Sequence, residues 1–66
     1  MIVDTVIKDG KVIQQGNIFN ATLAEMFKSA DHPENRKYID HISYCKCERR
    51  IVIVYMGGKT RIIEEC

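Results

Sequence analysis

Six apolar residues in succession, Ile51-Val52-Ile53-Val54-Tyr55-Met56, constrain this chain more than any other feature. The run is far short of the roughly twenty residues a membrane span needs. Its β-branched and aromatic side chains favour a strand. Side chains alternate between the two faces of a strand, so a run without polar alternation predicts apolar surface on both sides and a central, doubly covered position. The rest of a 66-residue chain has to supply that cover.

The flanking sequence predicts antiparallel neighbours. Gly57-Gly58 reads as a two-residue hairpin loop into a strand over Thr60 to Glu64, and a strand over Ile42 to Glu48 precedes the run, with Arg49-Arg50 as the turn. With those registers, Cys45, Cys47, Val52, Val54, Met56 and Ile63 share one face of a three-stranded meander. Ile42, Tyr44, Ile51, Ile53, Tyr55 and Ile62 share the other. Ile2 to Gln15 predicts a second hairpin, because Asp9-Gly10 supplies the positive φ that both centres of a type I′ turn require. It sets Lys8 opposite Lys11, Ile7 opposite Val12 and Val6 opposite Ile13.

One helix is expected between these β regions. Thr22-Leu23-Ala24-Glu25 has the capping-box form, and Leu23, Met26, Phe27 and Ala30 make one apolar stripe at i, i+3, i+4 and i+7. Pro33 disfavours helix at His32, so the helix spans about Thr22 to Asp31; Pro33 then seeds a further short turn through Tyr38. The predicted fold class is α+β: a small two-layer ββαβββ domain over residues 1–66, with an N-terminal β-hairpin, one main helix and a C-terminal antiparallel meander.

Composition excludes several classes of function. Ten Lys and Arg against nine Asp and Glu give a net charge of +1, with no basic or acidic tail. Asp4 interrupts Met1-Ile2-Val3, which lacks the pattern of a secretory signal, and three cysteines suit reduced thiols better than a disulfide framework; the expected location is cytoplasmic.

Catalytic chemistry finds no foothold. Gly58-Lys59-Thr60 shares its ending with a phosphate-binding loop, but Ile53 stands where the opening glycine belongs, and no room remains for the following helix. His41, Cys45, Cys47 and Cys66 have the donor types zinc takes; their spacing does not match a zinc knuckle, and on an extended strand His41 lies about 13 Å from Cys45. The carboxylates are scattered, with only Glu64-Glu65 adjacent, and neighbours in a strand face opposite ways. The expectation is therefore no enzyme, no catalytic residue, no metal, no cofactor and no small-molecule substrate.

Two apolar faces against one helical stripe leave one face over. Either the N-terminal hairpin folds across it to close a small sandwich, or a partner covers it. The favoured expectation is a non-enzymatic protein-interaction module acting by stoichiometric binding, to a protein partner or as a homodimer. Its contact would be Tyr44, Ile53, Tyr55 and Ile62, with Arg50 at the rim. Small α+β chains without catalytic groups include stoichiometric inhibitors made by phages and mobile elements, an analogy that rests on size alone. The alternative is nucleic-acid binding through Lys46, Arg49, Arg50, Lys59 and Arg61, with Tyr44 and Tyr55 nearby.

Overall fold

A computed structural model describes residues 1–66. The chain forms β1 (Ile2–Lys8), β2 (Lys11–Ile18), α1 (Leu23–Ala30), α2 (Pro33–Arg36), β3 (Ile39–Cys45), β4 (Arg50–Tyr55) and β5 (Lys59–Glu65). All five strands belong to one antiparallel sheet in the order β2-β1-β5-β4-β3. The α+β reading holds, with both helices on one face: α1 packs on β4 and β5, and α2 on β3.

Local signals account for the element ends. Glu25 N–H donates to the Thr22 hydroxyl and Thr22 N–H to the Glu25 carboxylate, both at 3.2 Å, so the capping box forms as the sequence specifies. His32 caps α2 by accepting the Glu34 N–H at Nδ1, and Pro33 occupies the first helical turn. Asp9 and Gly10 take φ of 54° and 76°, which fixes the first hairpin. Lys8 then faces Lys11 and Ile7 faces Val12, but a bulge follows, and Val6 pairs with Gln14 instead of Ile13.

The N-terminal hairpin does not fold across the meander. β1 pairs with β5 along its whole length, from Ile2 opposite Glu65 to Lys8 opposite Lys59, so the hairpin widens the sheet and covers neither face. Burial is correspondingly one-sided. The core is Ile2, Leu23, Ile39, Ile51, Ile53 and Ile63, with Met26, Phe27, Ala30, Ile42 and Tyr44 packed around it.

Two hairpins in the meander depart from their expected register, with opposite consequences. Lys46 to Arg49 form a four-residue connection, with Arg49 at φ 53°, so Cys45 pairs with Arg50 and β3 runs from Ile39 to Cys45 instead of from Ile42 to Glu48. That shift is by an even number of residues and leaves the faces of β3 and β4 as the sequence predicts. Between β4 and β5 the loop is Met56-Gly57-Gly58, one residue longer than expected, because Met56 N–H leaves the hairpin and donates to the Tyr38 carbonyl at 3.0 Å. A one-residue slip moves every side chain of a strand to the other face. Ile51 therefore faces Ile63, and Val52 faces Ile62.

Candidate interaction surfaces

The register divides the sheet into two unlike surfaces. On the face away from the helices, Val52 and Val54 of β4, Ile62 and Thr60 of β5, and Val3, Thr5 and Ile7 of β1 stand side by side, all half-buried. Around them lie Gln15 and Asn17 on β2, and Cys45, Ser43 and His41 on β3. Charge on this face is confined to Arg50 and Glu64, which oppose each other across β4 and β5, and Arg50 also pairs with Glu48. The middle of the face is β-branched and uncharged, and nothing in the chain covers it.

The helix face is only partly covered. An eight-residue helix is about 12 Å long and cannot span five strands. Beside α1 a groove of about 330 Å³ opens, floored by Tyr55, Arg61 and Ile63 and walled by Met26, Ser29, Ala30, Asn35, Tyr38 and Ile39. Arg61 is held there by a bidentate pair with Asp4 at 2.8 and 2.7 Å. The Asp4 carboxylate, together with the Tyr55 hydroxyl, raises the Arg61 pKa above the ordinary guanidinium range, against the opposing effect of burial.

Lysines border this groove. Lys8 directly opposes Lys11 on β2 and Lys59 on β5, which puts three ammonium-bearing side chains in one row across three adjacent strands. Lys59 Nζ sits 4.6 Å from the Tyr55 ring centre, and Lys37 Nζ sits 5.3 Å from that of Tyr38. Ion pairs join Arg36 to Asp31, Arg50 to Glu48 and Arg61 to Asp4, and none involves a lysine.

The residues expected at a partner contact are not brought together. Ile53 has no exposed surface, and Tyr44 lies under α1 with its ring 5.1 Å from Phe27, so that face is the internal core. Tyr55 belongs to the same face, at the groove. Ile62 and Arg50 lie on the opposite side, Ile62 because of the longer β4–β5 loop and Arg50 because it is a strand residue and not part of the turn. The basic set also divides. Lys46 and Arg49 sit at the β3–β4 turn and Arg50 on the open face, whereas Lys59 and Arg61 belong to the helix face near the other end of the sheet.

Val3 and Ile7 on the open face, Lys37 beside the groove, and Lys8 and Lys11 in the row that runs outward from Lys59 belong to no sequence motif. For the lysines, the like-charged opposition of Lys8 and Lys11 was the one legible clue. Cys45, Cys47 and Cys66 are free and exposed, Cys47 in a turn and Cys66 at the chain end with its N–H on the Met1 carbonyl. No three His, Cys, Asp or Glu side chains gather where they would hold a metal ion. No helix is long and apolar enough to cross a membrane. No protein-family model, curated protein or solved structure matches the chain, so similarity adds nothing to the geometry.

Proposed function

We propose that this protein is a non-enzymatic interaction module that acts by stoichiometric protein binding, and that its uncovered sheet face pairs with a second copy of the chain. The observation that carries this reading is one-sided cover: both helices lie on one face, and Val3, Ile7, Val52, Val54 and Ile62 remain half-buried on the other. Antiparallel sheets often leave one face to water, but such faces read polar in alternation, and this one does not along β4.

A second copy fits better than an unrelated surface for two reasons. Five strands and three rows of side chains make a face of about 24 by 20 Å, so two copies back to back bury on the order of 1,000 Å², the lower bound for a specific interface. The face is also nearly neutral, with Arg50 beside Glu64, so it meets a copy of itself without net repulsion. Packed this way, the pair turns both helix faces outward, each free to occupy a site on a larger protein as small inhibitors do.

Sedimentation of the wild type against Val52→Glu tests the pairing. The expected result is a wild-type dimer and a folded monomeric variant, because Val52 is outside the core. A wild type that stays monomeric at about 100 µM, well above the dissociation constants of specific dimers, would overturn it.

A further inference from the structure

We infer that the groove beside α1, with its lysine border, is a binding site for an acidic protein segment carrying an apolar anchor residue. Three observations converge. The groove is concave and mainly apolar, walled by Met26, Ala30, Tyr38 and Ile39 and floored by Tyr55 and Ile63, and its volume of about 330 Å³ admits a large side chain. Its border is cationic: Lys59 lies over Tyr55 and Lys37 over Tyr38, while Lys8 and Lys11 extend the row across the sheet.

The lysines also lack internal partners. The nearby carboxylates are engaged or apart: Asp4 is held by Arg61 and Asp40 contacts the His41 ring, while Asp9 sits in the turn between Lys8 and Lys11 without pairing to either. Like charges directly opposite in a sheet are destabilising. Two such oppositions at one residue, Lys8, bring no return inside the fold. An anionic partner supplies one, through carboxylates reaching the lysines while an apolar side chain enters the groove.

A nucleic acid fits this surface less well. The lysine row crosses only three strands, about 10 Å; Lys46 and Arg49 lie at the far turn beside Glu48, Arg50 is on the open face, and Arg36 is paired with Asp31. Tyr55 is half-buried at the groove floor, so Tyr38 is the one largely exposed aromatic ring beside the lysines on which a base would stack. The site faces away from the surface proposed for self-pairing, so it rests on the protein-binding reading but not on the dimer, and a monomer that binds would separate the two.

The test is fluorescence anisotropy with a labelled short peptide holding one phenylalanine between two runs of glutamate. Controls are the same peptide with serine for phenylalanine, and labelled oligothymidylate. Binding on the order of 10–100 µM is expected, about tenfold weaker in the Lys8→Glu/Lys59→Glu protein and falling with salt. Ser29→Trp, which fills the groove from an exposed helix position, should weaken it similarly, with circular dichroism confirming that both variants fold. The proposal is overturned by no saturation at about 1 mM peptide, by equal binding of the serine peptide, or by tighter binding of the oligonucleotide.

Discussion

Ile51 and Ile53 have no exposed surface, while Val52 and Val54, their neighbours in the same strand, remain half-buried. The residue types are nearly interchangeable; the environments are not. One pair meets α1 and the other meets nothing in this chain. An apolar side chain states a need for cover, and the fold decides whether that need is met inside the molecule. On the helix face it is met at Ile51, Ile53 and Ile63 and left open at the groove. On the far face it is left open throughout.

Truncation of buried side chains separates the two faces most strongly. Ile53→Ala should cost about 3 kcal/mol in urea denaturation, a large share of the stability of so small a domain, whereas Val52→Ala should cost under about 1 kcal/mol at dilution where the protein is monomeric. Equal losses at low concentration would mean that the far face is a core in its own right. A cost for Val52→Ala that grows with protein concentration would mark the surface that closes on a second copy.

The Asp4–Arg61 pair, partly buried at the groove floor, is a smaller lever. Asp4→Ala should cost about 1–2 kcal/mol, between the values for surface and fully buried pairs, and leave Arg61 uncompensated beside Tyr55. Arg61 has its folded pKa raised, so its contribution is fully present below the unfolded pKa and is lost only as pH rises through the folded value. Denaturation midpoints should therefore show no step from Arg61 between about pH 5 and 9, and a step there that vanishes in Arg61→Leu would contradict the assignment.

Loss of the helix cap through Thr22→Ala should cost about 1 kcal/mol, because it removes one half of a reciprocal pair at the start of the only long helix. The smallest expected effect has the opposite sign. Lys8→Gln should stabilise the fold by about 0.5 kcal/mol at low salt, with the gain shrinking as salt rises, since it removes two direct like-charge oppositions. A destabilised Lys8→Gln protein would mean that Lys8 holds the sheet, and the lysine row would lose its claim to be a surface kept for a partner.

Much of the fold was legible because its signals are local. The Asp9-Gly10 turn, the Thr22–Glu25 capping box, the stop at Pro33 and the apolar run of β4 each depend on residues within a few positions. What escaped was register. The four-residue turn over Lys46 to Arg49 moved the β3–β4 pairing by an even step and left the faces unchanged. One extra loop residue at Met56 exchanged Ile62 for Ile63, and with them the covered and open faces of β5. Its cause is the Met56 N–H bond to the Tyr38 carbonyl, a contact between positions eighteen apart that no turn propensity encodes.

The open face was legible as a mismatch between apolar surface and available cover, and the lysine row only as the opposition of Lys8 and Lys11. Local sequence specifies which segments form strands and helices, where the helix is capped, and that β4 carries apolar side chains on both sides. Long-range pairing sets the rest: the N-terminal hairpin joins the sheet edge at β5 instead of crossing its face, which fixes the core side and the open side and brings Lys8 opposite Lys59. The physical reason is that local structure follows from steric and hydrogen-bonding preferences of neighbouring residues. The pairing of β1 with β5 joins chain ends about sixty residues apart, and it is fixed by which arrangement best satisfies backbone donors and buries Ile2 with Ile63.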